Sequence, residues 1–166
     1  MNQPPVSFAE LAERYRQEIL WYLVRMLGNE PDAQDACQDV FLRAHRAFAR
    51  MAPNSNWRAW LYRIATNCAF NATRRRSRSA ARTVDVDLDT LPASTGASLP
   101  QREQLRTLGR AVSALPPRQR AALMLRQFHD MSYADIAASL GGNEATARAN
   151  VYQALKKLRA TFGGEP

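Results

Sequence analysis

The chain has 166 residues, 46% hydrophobic and 23% charged, the balance of a soluble globular protein holding one ordinary domain or two small ones, which sets aside both a disordered chain and a membrane protein. Its formal net charge of +8 points to a polyanionic partner. Two cysteines, Cys37 and Cys68, and two histidines, His45 and His129, are too few for a disulfide framework, a zinc site or a catalytic triad, so no metal, no cofactor and no enzymatic activity are expected.

Residues 1 to 27 carry Glu10, Arg14 and Glu18 where a secretory signal needs an unbroken apolar core, and the longest nearly uncharged stretch, Ile64 to Thr73, is too short to cross a bilayer. A cytoplasmic protein without membrane insertion is expected. The first helix opens on a capping-box pattern, Ser7 with Glu10, framed by the staple pair Val6 and Leu11. Phe8, Leu11, Tyr15, Ile19, Tyr22 and Met26 recur at steps of three and four to form one apolar stripe, and Gly28-Asn29 ends it. A second helix starts around Pro31 and runs to about Arg50, with Ala33, Ala36, Cys37, Val40, Phe41, Ala44 and Phe48 inward and Asp35, Asp39, Arg43 and Arg46 outward. The turn-rich stretch 51 to 56 predicts a third helix beginning at Trp57. Trp57, Trp60, Leu61, Ile64 and Cys68 make its apolar stripe. Arg58, Arg63, Asn67, Asn71 and Arg74 fall largely on other faces and lead into an arginine run, Arg74-Arg75-Arg76-Ser77-Arg78.

From about Ser79 to Pro100 helical periodicity gives way to Asp, Ser, Thr, Pro and Gly, the composition of a flexible linker. Val84, Val86 and Leu88 alternate with aspartates as a strand would, but there is no second strand to pair with them. Beyond it, Leu105, Leu108 and Val112 mark a helix that Leu115-Pro116-Pro117 breaks, and Ala121, Leu123, Leu125 and Phe128 mark the next. Ser132 caps a short helix from Tyr133 to Leu140, Gly141-Gly142 closes it, and Asn143 caps a final helix with Ala147, Val151, Leu155, Leu158 and Phe162 inward. A short helix, a glycine turn and a longer basic helix have the layout of a helix-turn-helix. The expected fold is all-α: two small helical domains, 1–78 and 104–166, joined by a flexible acidic linker over 79–103.

Charge is segregated along this frame. Residues 57 to 82 carry seven arginines and no acid, residues 83 to 105 are net −3, and residues 106 to 166 are net +5. Two basic blocks on either side of an acidic spacer suit a nucleic acid, because each cation near a phosphate displaces condensed counterions. In a helix-turn-helix the amino end of the second helix reaches base edges, which here means Thr146, Arg148, Ala149, Asn150, Tyr152 and Gln153, with Lys156 and Lys157 left for phosphates. The third helix combines tryptophans, asparagines and arginines, the side chains that hold unpaired bases by stacking, amide contacts and backbone neutralisation; tryptophans three residues apart are equally at home in a core.

Asp35-Ala-Cys-Gln-Asp-Val-Phe-Leu-Arg43 followed by Trp57-Arg-Ala-Trp-Leu-Tyr-Arg-Ile-Ala65, Asn67, Asn71 and the arginine run resembles domain two of the extracytoplasmic-function sigma factors of the sigma-70 family. Ala114-Leu-Pro-Pro-Arg-Gln-Arg120 and Met131-Ser-Tyr-Ala-Asp-Ile-Ala137, with the helix after Gly142, resemble domain four of the same family, in the same order. The resemblance implies that Asp35, Gln38, Asp39, Val40, Phe41 and Arg43 dock on the clamp coiled coil of the largest polymerase subunit. It implies a minus-ten reader in Asn54, Ser55, Asn56, Trp57, Arg58, Arg63, Asn67, Asn71, Arg74, Arg75 and Arg76, which melts the duplex and traps a flipped base. It implies a minus-thirty-five reader in Ser132, Thr146, Arg148, Ala149, Asn150, Tyr152, Gln153, Lys156 and Lys157. Ala149, Asn150 and Gln153 stand where the family often carries a small polar residue and arginines. The linker would thread toward the RNA exit channel, and the implied partners are core RNA polymerase through its largest and second-largest subunits, promoter DNA and an anti-sigma factor. Regulation by a domain appended after Phe162 is not expected.

Two rival readings differ in what they leave unexplained. A helix-turn-helix regulator acting without core polymerase gives no role to the Asp39 to Arg43 face. A metal-dependent nuclease needs acids beside its basic groove, and the arginine-rich third helix has none.

Overall fold

The computed structural model describes residues 4, 5, 7–79 and 98–163; Val6 of the staple and the 84–88 alternation lie outside them. The Ser7 hydroxyl accepts the Glu10 N–H at 3.2 Å and starts α1 (Phe8–Leu27). Gly28 ends it at φ 77°, the left-handed conformation that a side chain resists, and its N–H closes on the Val24 carbonyl at 2.8 Å. Asn29 caps α2 (Glu30–Phe48) by accepting the Asp32 N–H, with Pro31 harmless in the first turn. Asn56 caps α3 (Trp57–Ser79) by accepting the Ala59 N–H. The stripe of α1 is buried from Leu11 to Met26, and it meets Ala33, Val40 and Ala44 of α2 and Leu61, Ala65 and Ala69 of α3. A buried hydrogen bond crosses this core, between the Tyr22 hydroxyl and Thr66 Oγ1 at 2.8 Å. The two thiols, Cys37 and Cys68, are buried and free.

The second half begins earlier than expected. α4 (Leu99–Ser113) takes in residues placed in the linker, and the signal for it is Ser98 with Gln101, whose side-chain oxygen accepts the Ser98 N–H at 2.8 Å. No residue of α4 is buried, and Leu105 and Leu108 face outward. α5 (Pro117–Phe128), α6 (Tyr133–Leu140) and α7 (Glu144–Thr161) follow, with Ser132 and Asn143 accepting the third-residue N–H of α6 and α7 and Gly141 at φ 71° making the turn. Two apolar side chains expected inward face solvent instead. Phe128 is 55% exposed under the Arg25 guanidinium, 4.4 Å from its ring centroid, and Phe162 sits at the exposed end of α7.

The two halves pack on each other, α6 against α3 and α5 against α1. Arg58 donates to the His129 carbonyl at 2.6 Å, Asn56 to Asp135 at 2.7 Å, and the Ser139 hydroxyl to the Ala59 carbonyl at 3.3 Å. Arg120 donates to the carbonyls of Val112 and Leu115 at 3.1 and 3.2 Å, to Met26 of α1 at 2.9 Å, and to Ser113. The buried His129 ring lies between both halves, its Nδ1 2.7 Å from the Tyr62 hydroxyl and its edge against Tyr22.

Burial and the adjacent Arg25 and Arg58 cations hold the His129 imidazole down at about 4, against an ordinary 6.5, with Asp130 opposing them. The unfolded chain therefore takes up a proton near pH 6.5 that the folded chain refuses until about pH 4. Stability is complete above that window and falls as pH drops through it, by roughly 2 kcal/mol between pH 7.5 and 5. Urea midpoints at the two pH values should show this loss, and His129→Gln should remove most of it. An equal loss in His129→Gln would assign the dependence to other groups.

Candidate nucleic-acid interface

α3 presents two different surfaces. One side of it carries Arg63, Asn67, Asn71 and Arg74 at steps of four and three, with Arg63, Asn67 and Arg74 exposed and Asn71 accepting a hydrogen bond from Arg74 at 3.0 Å. No acid occurs anywhere in the helix. The stripe projects two guanidinium groups and amides outward, a geometry that tracks a strand by pairing with its phosphates and base edges. Arg75 is exposed beside it. Arg76 is engaged elsewhere: it donates to the Leu27 carbonyl at 2.9 Å and pairs with Asp32 at 3.3 Å, which ties the carboxyl end of α1 to α3.

The amino half of α3 faces a cleft of about 710 Å³ lined by Asn54, Ser55, Asn56, Trp57 and Arg58 from one half of the chain and Met131 and Asp135 from the other. Asn54 and Asn56 are exposed, Ser55 and Arg58 half-buried. Burial works against the Arg58 charge, but the Glu18 carboxylate 3.0 Å away outweighs it and raises its affinity for the proton. Trp57 is a correction to the expected reader. Only 6% exposed, it donates its indole N–H to the Pro53 carbonyl at 3.2 Å and packs on Phe48 and Trp60, so its ring is part of the core and braces the loop from below.

The outer face of α2 exposes Asp35, Gln38 and Arg43, with Asp39 and Phe41 half-buried. Asp39 accepts from Arg43 at 3.1 Å, an exposed pair worth tenths of a kcal/mol by itself. Val40, expected on this face, is fully buried and supports it from beneath. Phe41 leans edge-on against Phe8, with ring centroids 6.5 Å apart. Behind Asp39 the Cys68 thiol is pushed up to about 11 by burial and by that carboxylate, so it stays protonated at neutral pH.

On α7, Ala147, Val151 and Ala154 are buried, and Arg148, Ala149, Tyr152, Gln153, Lys156 and Lys157 form the outward face, with Asn150 at its edge. Arg148 bonds to Glu144 at 3.1 Å and lies over the Tyr133 ring at 4.9 Å, two holds that orient it near the amino end of the helix. Thr146 donates its N–H and hydroxyl to Asn143, the cap of α7, and Ser132, the cap of α6, accepts the Asp135 N–H, so both side chains are engaged at helix starts. Asp135, His129 and Ser139 were not among the expected residues. Their partners are 67 to 80 positions away, and no local pattern reports such contacts.

Comparison with known proteins agrees with this arrangement. The sigma-70 region 2 family matches residues 11–79 and sigma-70 region 4 matches residues 105–158. Among relatives, the ECF RNA polymerase sigma factor SigE of Mycolicibacterium smegmatis is 31% identical, the match covering 92% of this chain and 60% of SigE. The sigma-H factor of Pseudomonas aeruginosa is 32% identical over 92% of this chain and 84% of its own length. The fold is shared with the sigma factor RpoE of Bartonella quintana, solved with the anti-sigma factor NepR, at a TM-score of 0.77 and 22% identity over 96% of this chain and 98% of that one. It is shared also with CnrH, solved with the cytosolic domain of CnrY, at a TM-score of 0.69 and 24% identity over 96% and 89%. Two region matches in family order, and a relative above 30% identity over most of both chains, establish that this chain belongs to the extracytoplasmic-function group of the sigma-70 family of RNA polymerase sigma factors.

Proposed function

We propose that the chain is a promoter-recognition subunit of core RNA polymerase, which docks through α2, reads and melts the minus-ten element through the 51–56 loop and α3, and reads the minus-thirty-five element through α7. The observation that carries this reading is the acid-free stripe Arg63, Asn67, Asn71 and Arg74 in the same chain as a helix-turn-helix with an exposed basic face. A regulator acting without polymerase would need only the second. The units are best taken as residues up to Ser79 and from Ser98 onward, since α4 starts at Leu99. The chain supplies no catalysis and works where the polymerase is, in the cytoplasm. Among the described residues no helix is long and apolar enough to cross a membrane. The bare apolar side of α4, with Leu105 and Leu108 outward, supports protein partners, the second-largest subunit in the working complex and an anti-sigma factor in the silent one. Run-off transcription from genomic fragments, including the chain's own upstream region, should appear only when the chain is added to core polymerase. Absence of any transcript above core alone would end this reading.

Asn67→Ala is expected to impair open-complex formation on duplex promoters while promoter binding through α7 persists, and a premelted bubble should recover most of the loss. Equal defects on duplex and bubble would make Asn67 a packing residue, against its exposure.

In α7, Arg148→Ala is expected to cost about 1–3 kcal/mol on the cognate site and flatten the preference at one or two base pairs. Lys156→Ala should weaken all sequences alike and lower the salt slope by about one unit. A randomised-promoter selection separates the two. If Arg148→Lys and Arg148→Ala both keep the selected motif, Arg148 supplies charge only.

A further inference from the structure

Neither Tyr133 nor Arg126 belongs to the proposed minus-thirty-five reader, yet the fold brings both to its arginine. Ser132 caps α6, which makes Tyr133 the first residue of that helix, and the Gly141-Gly142 turn leads into α7 so that Arg148 lies over the Tyr133 ring, 4.9 Å from its centroid. Arg126, near the end of α5, lies over the same ring at 4.7 Å and donates to the Met131 carbonyl at 2.9 Å, two residues before Tyr133. Three helices thus meet at one half-buried ring that packs on the core. Arg148 is exposed, and its hydrogen bond goes to Glu144, a solvent-facing pair that holds weakly by itself. An exposed arginine has many rotamers, and setting it on one base edge freezes them. Here it is confined before any DNA arrives: the ring limits where the guanidinium lies, the carboxylate limits how it turns, and further N–H donors of the fork are left for a base.

Resting on the minus-thirty-five assignment of Arg148, we propose that Tyr133 is a positioning residue for base recognition: its ring, steadied by Arg126, presets Arg148 for a guanine edge in the major groove. Arg148 makes the contact, and the aromatic face of Tyr133 sets how sharply it discriminates. Base preference at the position that Arg148 reads therefore depends on a side chain of α6 that touches no base. The hydroxyl of Tyr133 has no part in this, because the hold is made by the face of the ring.

Tyr133→Phe and Tyr133→Leu separate the ring from the rest of the side chain. These variants, Arg148→Ala, and Tyr133→Leu combined with Arg148→Ala are assembled as full-length chains with core polymerase and put through selection on promoters randomised over the minus-thirty-five element. The order of the Arg148 side chain is followed in the free chain by NMR relaxation of its Nε–H. Tyr133→Phe should keep Arg148 ordered and the selected preference within about twofold of the unmodified chain. Tyr133→Leu should free the side chain and lower discrimination about 5- to 10-fold at the same one or two base pairs that Arg148→Ala flattens. In the Arg148→Ala background it should add no further loss, since a residue that acts through Arg148 has nothing left to position. Tyr133→Met, which keeps an apolar contact without the ring face, serves if Tyr133→Leu does not fold. An unchanged preference in Tyr133→Leu would overturn the proposal, as would a loss spread evenly over all sequences, which is support of the fold alone. A loss in Tyr133→Phe would give the role to the hydroxyl instead, and an additive loss in the double variant would make Tyr133 a DNA contact in its own right; either outcome overturns positioning. If Arg148→Ala itself keeps the preference, the reader assignment has failed and the positioning role falls with it.

Discussion

Arg120→Ala is expected to destabilise the folded chain by roughly 3 kcal/mol or more, the largest stability effect of any single charged residue described above. The guanidinium of Arg120 satisfies four carbonyl oxygens at once: Val112 and Ser113 at the end of α4, Leu115 in the following turn, and Met26 at the carboxyl end of α1. Burial pushes its proton affinity below that of a free arginine, yet it remains charged at any working pH. Alanine leaves all four acceptors without the group that holds them, and each buried acceptor left alone costs about 1–3 kcal/mol before water reaches it. Arg120→Lys should recover less than half, because an ammonium cannot span the same fork. Urea unfolding followed by far-ultraviolet circular dichroism reads both. A loss under about 1 kcal/mol for the alanine variant would mean that water replaces the guanidinium readily.

Asp35→Arg combined with Asp39→Arg should lower affinity for core RNA polymerase by at least about 100-fold, or ~3 kcal/mol, with the helical spectrum unchanged. Both acids lie on the outer face of α2, and apart from the Arg43 pair and the weak contact from Cys68 the Asp39 carboxylate supports nothing in the core. Reversing two charges replaces attraction with repulsion at the proposed clamp contact. Phe41 makes a poorer probe, since it packs on Phe8 and the loss of binding would be mixed with a loss of fold. A folded double variant that competes for core polymerase as well as the unmodified chain would remove α2 as the dock.

Most helix boundaries were legible in the sequence because capping is local. Ser7, Asn29, Asn56, Ser132 and Asn143 each accept an N–H three positions on, and the residue type together with the apolar stripe that follows announces the start. The exception, α4, had its own local signal in Ser98 and Gln101, hidden inside a stretch whose composition reads as linker. Family motifs in the right order brought the candidate sites with them, and the exposure of Arg63, Asn67, Tyr152 and Lys156 is what periodicity alone implies.

Two positions show where carrying over a motif stops. Periodicity had put Trp57 and Val40 inward while the motif put them on binding faces, and both are buried, since a motif preserves side chains that support a face as faithfully as those that form it. A stripe of period 3.6 says that one side of a helix is buried, not against what. The amino-acid sequence by itself thus determined seven helices, two basic blocks and a family. Only the tertiary structure decided that the two halves close on each other through Arg58, Arg120, Asp135 and Ser139, because those contacts join residues 71 to 94 positions apart whose meeting depends on side-chain geometry at a shared surface and leaves no trace in any window along the chain.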